Sequence, residues 1–240
     1  ARFILISPNK TISGHAYNYY KNGADYNWVS NAIDAAHSAG IPWVIVGMHE
    51  YCFAIGYASC LNQDLLDLLL SKHVDVILQA QKHNYQRSKQ LTLNSSTCKA
   101  LSATSYNANC VANATSSLIR GAGSVIVLTG TGGESPQLAV DTKDPKTNYY
   151  KTWMPANNVT WGVSQFSISA TQLTEHFVAV SGGNYTDSFT ITSSGSTPAP
   201  GSSPSATTTG TPSPSPSPNS SPSGVVSMGL VLEDMLARVH

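Results

Sequence analysis

Three short apolar runs alternate with two stretches of helical periodicity in the first third of the chain, and this alternation restricts the fold more than any other feature. The runs at residues 2–7, 43–47 and 74–78 are short and contain few polar groups, as expected of strands buried on both faces. Between the first two, Trp28, Val29, Ala32, Ile33 and Ala36 recur at helical spacing over residues 25–39, and Gly40 and Pro42 then stop the helix. Between the second and third, Leu65, Leu66, Leu68, Leu69 and Leu70 make residues 64–72 too apolar all round for a surface helix. Strand, helix, strand, helix, strand in this order predicts parallel β-α-β units and an α/β fold.

The second half changes character. Residues 124–129 form another apolar run, ending in Gly130-Thr131-Gly132-Gly133. Residues 162–170, 173–180 and 188–192 alternate apolar with polar, as in Phe166, Ile168 and Ala170, which suits antiparallel strands with one buried face. Residues 84–122 are mostly polar and read as a long excursion over the surface. From 193 to 224 the composition collapses to Ser, Pro, Thr, Gly and Ala with one Asn, and eight of the 13 prolines fall there. Such a stretch has nothing to bury and predicts a disordered, polyproline-like stalk, at about 3.1 Å per residue roughly 100 Å long. Residues 225–240 predict a short helix, whose Glu233, Asp234 and Arg238 do not suit a lipid-anchor signal. The expected division is therefore a globular part over 1–192, a stalk over 193–224 and a tail of unassigned role over 225–240.

Composition narrows the partners and the compartment. Thirteen basic and 13 acidic residues cancel, and no basic block offers a track for a phosphate backbone, which argues against nucleic-acid binding. Charged residues make up only 11%, against roughly 25% in ordinary soluble domains. Ser, Thr, Asn and Gly fill the deficit, a common surface outside the cell. Six Asn-x-Ser/Thr triplets occur, at Asn9, Asn94, Asn113, Asn158, Asn184 and Asn219. Four cysteines sit as two close pairs, Cys52 with Cys60 and Cys98 with Cys110. Three connectivities are open, and local closure within each pair is expected because both lie in polar, loop-like stretches. No apolar run approaches the about 18 residues of a membrane span. These features together predict a secreted glycoprotein, with attachment to a cell wall or surface through the stalk as a further expectation. The chain opens inside an apparent strand, without Met or a leader, and is expected to be a fragment.

Chemistry is expected at two histidines that follow buried strands directly. His49 ends Val44-Ile45-Val46-Gly47-Met48-His49, and His83 follows Val76-Ile77-Leu78-Gln79-Ala80-Gln81-Lys82. Ligands of open α/β sheets bind at the carboxyl ends of parallel strands. If these two strands are neighbours, both imidazoles emerge on one rim, where they can hold a divalent metal. The remaining histidines, His15, His37, His73, His176 and His240, share no metal spacing and read as surface or helix-end residues. Gly130-Thr131-Gly132-Gly133 lacks the Lys-Ser/Thr of a phosphate-binding P-loop and reads as a tight turn.

The order of these motifs resembles calcineurin-like metallophosphoesterases of the purple acid phosphatase-like branch. In that family a strand ends in a lone metal-binding His, and a later strand ends in Gly-His-x-His, continuing in this branch into Tyr-Glu/Gln-Arg. His49 matches the lone His, and Ala80-Gln81-Lys82-His83-Asn84-Tyr85-Gln86-Arg87 matches the terminal motif. Gly130-Thr131-Gly132-Gly133 resembles the glycine turn after the next strand. The resemblance spans roughly residues 1–192 and implies the second half of a metallophosphoesterase-type β-sandwich flanked by helices. It further implies His49 and His83 as catalytic residues, His49, Gln81 and His83 as metal ligands, two ions of Zn, Fe or Mn, and a small phosphate-ester substrate. Two cations about 3.5–4 Å apart clamp the attacking and leaving oxygens in such sites. The chain departs from the pattern twice. Ala80-Gln81 replaces Gly-His, and a neutral amide oxygen binds zinc or iron more weakly than imidazole. No Gly-Asp, Asp-x-His or Gly-Asn-His occurs anywhere. The expectation is a hydrolase fold whose activity belongs to a parent protein, with this chain inactive alone. The alternatives are a degenerate, non-catalytic homologue and a cell-surface structural or adhesive protein.

Overall fold

In a computed structural model that describes residues 1–50, 53–56, 62–133, 135, 140–193 and the backbone of 226–230, the alternating pattern becomes one mixed sheet. Its strands, in chain order, are β1 (Arg2–Ile6), β4 (Val44–Met48), β5 (Val76–Gln79), β6 (Tyr85–Leu91), β7 (Val111–Asn113), β9 (Ser124–Thr129) and β10 (Tyr150–Trp153). The short pair β2 (Thr11–Ile12) and β3 (His15–Ala16) makes a separate ribbon, and the helices are α1 (Ala24–Ser38) and α2 (Gln63–Ser71). A second sheet holds β8 (Ser117–Ile119), β11 (Thr160–Ile168), β12 (Gln172–Gly182), β13 (Asp187–Thr192) and β14 (Val226–Leu230). The first sheet runs β1-β4-β5-β9-β6-β10, parallel from β1 to β9 and antiparallel beyond.

The pleat explains how both faces are buried. Val44, Val46 and Met48 of β4 join Ile77, Ile126 and the buried side of the helices, including Val29, Ile33, Leu65 and Leu69. Ile45, Val76, Leu78, Val125 and Val127 point the other way and join Phe166, Leu173, Phe177, Phe189 and Ile191 of the second sheet. Val29, Ile33 and Ala36 define the inward stripe of α1, and Trp28, expected to share it, faces solvent at 57% exposure. Gly40, at a φ of +65°, closes α1, with Ile41 N–H donating to Ala36 O, so the helix stops where Gly40 and Pro42 predict. Asn62 caps α2, its side-chain oxygen accepting from Leu65 N at 3.1 Å.

Three expectations need correction or closure. Residues 85–91 are no surface excursion; they form β6, buried between β9 and β10. The polar sequence Tyr-Gln-Arg-Ser-Lys-Gln-Leu hides a central strand because most of its buried polar groups find specific partners, Arg87 Nη1 being the exception among the described residues. Ser88 Oγ accepts from Ile126 N at 2.8 Å, Gln86 Oε1 from Ile55 N at 2.9 Å, and Gln90 Nε2 donates to Ile119 O at 2.8 Å. Residues 226–230, expected in a helix, pair antiparallel with β11, where an open strand edge offers backbone partners. The Cys98–Cys110 bridge is present with Cα atoms 5.2 Å apart. Cys52 and Cys60, residues 194–225 of the expected stalk and tail, and the tail beyond 230 fall outside the described residues.

Tyr85 and Arg87, two residues apart on β6, both face the second sheet. Arg87 donates to Asp187 through Nε at 2.5 Å and Nη2 at 2.8 Å, and lies over the Phe189 ring. Tyr85 donates its hydroxyl to Asp187 Oδ2 at 2.8 Å and lies 3.3 Å from Glu175 Oε2. Glu175 is fully buried, and burial pushes its pKa up from 4.5 to about 8. The folded state therefore prefers the neutral acid. That preference stabilises fully below the unfolded pKa near 4.5 and is gone once pH has risen through about 8. Glu175→Gln keeps the shape and removes the titration, so the variant holds its urea midpoint between pH 5 and pH 8 while the parent chain loses stability. Parallel pH profiles for the two proteins would contradict this assignment.

Candidate functional site

The carboxyl ends of the parallel strands bring four loops to one rim. His49 leaves β4 and Ala80 leaves β5 side by side, with Ala80 N–H donating to His49 O at 3.1 Å. Gly130, leaving β9, donates to Asn84 O at 3.1 Å and so ties the glycine turn to the same edge. From the end of β1 come Asn9 and Lys10, both reaching Glu50: Asn9 Nδ2 donates to its Oε2 at 2.8 Å and Lys10 Nζ lies 2.9 Å from its Oε1. Glu50 is 7% exposed, so this clasp fastens the residue after His49 to the neighbouring loop. The sequence reading missed Glu50. Its only signal was a carboxylate directly after a strand-end histidine.

The segment from Ala80 to Asn84 is wound tightly. Lys82 N–H donates to Ala80 O at 2.6 Å and Asn84 N–H to Lys82 O at 2.7 Å. Alternate side chains diverge as a result. Lys82 turns inward, 4% exposed, and donates Nζ to Ile55 O at 3.1 Å. Burial lowers its pKa, the nearby Asp144 opposes that shift, and Lys146 adds to it. His83 stays half-buried with Nδ1 3.2 Å from Ser135 O. Gln81 precedes them at a φ of +59°, a left-handed conformation that costs a non-glycine residue about 1–2 kcal/mol. Its Oε1 is buried and has no hydrogen-bond partner among the described residues.

His49 and Gln81 thus share the rim through adjacent backbones, and His83 lies two residues further on. The glycine turn has a structural use: Thr131, fully buried, donates Oγ1 to Gly162 O at 2.8 Å and accepts Gly162 N–H at 3.2 Å, stitching the turn to β11. His15, beside the Gly14 turn, pairs with Asp25 at 3.0 Å and belongs to the β2–β3 ribbon. A cavity of 650 Å³ lies elsewhere, lined by Asp34, Lys72, Asp75 and Arg120 around the amino ends of the parallel strands.

The donor set does not fit a pair of metal ions. Among the described residues no three His, Cys, Asp or Glu side chains converge. Two imidazoles and one amide oxygen leave most coordination positions of two cations to water.

Comparison with known proteins places the fold. No family model matches the chain, and no curated protein matches it. Among solved structures it is similar to a purple acid phosphatase from yellow lupin (Lupinus luteus) seeds, with a TM-score of 0.58 and 18% identity. The match covers 80% of this chain and 31% of that one, so the chain spans about a third of the length of the structure it resembles. The mixed sheets are similar to those of that phosphatase's fold.

The left-handed turn and orphaned amide at Gln81 have a measurable cost. Gln81→Gly removes both and raises the urea midpoint, by the equivalent of about 1 kcal/mol or more after glycine's own entropy cost. A lowered midpoint would mean that the glutamine is held by a favourable contact.

Proposed function

We propose that this chain is the second half of a metallophosphoesterase-type sandwich whose parent protein hydrolyses a small phosphoric ester outside the cell. The observation that carries the reading is the rim: His49 and the Ala80–His83 turn leave adjacent parallel strands at one edge, joined by the Ala80 to His49 hydrogen bond. In this assignment His49, Gln81 and His83 occupy the positions of ligands and catalytic residues. Likeness of fold to a purple acid phosphatase supports the reaction class, and the two motifs on this edge support the location. The Cys98–Cys110 bridge and the Asn-x-Ser/Thr triplets support an oxidising, extracellular setting.

The ligand set is too poor for this chain to work alone, and the parent's remaining donors belong to the portion of the fold it does not contain. A second reading, a degenerate homologue that has lost catalysis, is favoured by the sequence at positions 80–81: in this assignment Ala80-Gln81 takes the place of Gly-His. Ala80→Gly with Gln81→His separates ligand position from accident. If position 81 faces the same point as His49, zinc affinity of the chain rises about 10–100-fold, read by calorimetric titration. Unchanged affinity would show that residue 81 does not share a site with the histidines.

A further inference from the structure

Five of the six Asn-x-Ser/Thr triplets fall on described residues, and the fold treats their asparagines very differently. Asn9 commits its amide nitrogen to Glu50 at 2.8 Å, and Asn113 commits its own to Ser117 O at 2.9 Å. Asn94 caps its loop, its Oδ1 accepting from Thr97 N at 2.6 Å and Cys98 N at 3.2 Å. Asn158 and Asn184 face each other across two loops of the second sheet. Asn158 Nδ2 donates to Asn184 Oδ1 at 3.0 Å, and Asn184 N–H donates to Asn158 Oδ1 at 2.9 Å.

That facing pair is asymmetric. Asn158 is half-buried, and a β-carbon on Gly183 would lie 2.1 Å from its Oδ1, so the backbone closes on it from one side. The hydroxyl residue of its triplet, Thr160, is fully buried at the start of β11, where it accepts Tyr185 N–H at 3.0 Å. Asn184 is exposed, and so is its triplet partner Thr186, in the connection between β12 and β13. Its Nδ2 donates no hydrogen bond among the described residues; only its carbonyl oxygen and backbone amide are used.

We propose that Asn184 carries an N-linked oligosaccharide and that Asn158 remains unmodified, its amide serving as a brace that orients the Asn184 side chain toward solvent. In the transfer step, Nδ2 of Asn184 attacks the anomeric carbon of an oligosaccharide held on a lipid diphosphate. A carbon–nitrogen bond forms, the anomeric carbon–oxygen bond breaks, the lipid diphosphate leaves with the electron pair, and one amide proton passes to solvent. A glycan on Nδ2 of Asn184 leaves the Oδ1 contact from Asn158 intact. One on Asn158 would sit on a half-buried amide nitrogen that already donates to Asn184 Oδ1. A bulky hydrophilic group there also shields the β12–β13 end of the second sheet, where Val180 is 70% exposed.

This inference rests on the extracellular reading and is independent of phosphatase chemistry. The experiment expresses the full chain behind a heterologous secretion signal in a eukaryotic host, so it reads each asparagine whatever the natural destination. Treatment with an amide-cleaving glycosidase in heavy-oxygen water converts every modified asparagine to a mass-tagged aspartate, located by peptide mass spectrometry. The expected result is tagging at Asn184 in the majority of molecules and none at Asn158. Secreted chain untagged at Asn184, or tagged at Asn158, overturns the proposal, whether or not Asn9, Asn94 or Asn113 are modified. Asn158→Gln, which displaces the amide from Asn184 Oδ1, checks the brace: tagging at Asn184 falls if that amide orients the Asn184 side chain, and unchanged tagging there overturns the brace.

Discussion

Arg87 reaches from the middle of the first sheet to Asp187 at the start of β13, and much of the molecule is organised by that one contact. The guanidinium is 2% exposed and the carboxylate 11%, so neither charge is relieved by bulk water, and each would be costly without the other. Tyr85 adds a hydrogen bond to the same carboxylate, and Phe189 covers the guanidinium face. The pairing fixes which face of β6 meets the second sheet. It thereby fixes the opposite face, where Gln86 and Ser88 serve the backbone of neighbouring segments. A one-residue slip of β6 would exchange these two sets of polar groups and leave all of them unsatisfied.

The rim follows from the placement of β6. The chain passes from β5 to β6 in the short span 80–84, and because β6 pairs with β9 rather than returning to β5, that span must turn sharply at the carboxyl edge. The turn accounts for the left-handed Gln81 and for the inward Lys82 beside an outward His83. Strain at such a place is common where a fold supports a site. Here the strain surrounds a donor set that falls short of two metals among the described residues. The fold is similar to that of a phosphatase of which this chain spans about a third.

Elements whose burial follows from apolar pattern were legible in the sequence, whereas those buried through specific polar partners were not. The runs that became β1, β4, β5 and β9 and the leucines of α2 announce themselves, because nothing but burial suits them. The alternating strands β11, β12 and β13 are equally plain. β6 was invisible, since Arg87, Gln86, Ser88 and Gln90 look like surface residues until Asp187, Ile55, Ile126 and Ile119 are known to be opposite them. The strand pairing of residues 226–230 was hidden for a related reason, because an edge-strand partner depends on where β11 ends up. At the candidate site, order along the chain pointed to His49 and His83 as expectations. Glu50 required knowing that Asn9 and Lys10 arrive from another strand.

The claim on which the account depends is that Arg87 and Asp187 act as one buried unit joining the sheets, and a double-mutant cycle measures it directly. Arg87→Ala, Asp187→Ala and the double variant are each unfolded with urea near neutral pH. The account predicts a loss of roughly 3–5 kcal/mol for each single change and little further loss in the double variant, since each partner's removal already strands the other. Additive losses, with no coupling between the two positions, would contradict it.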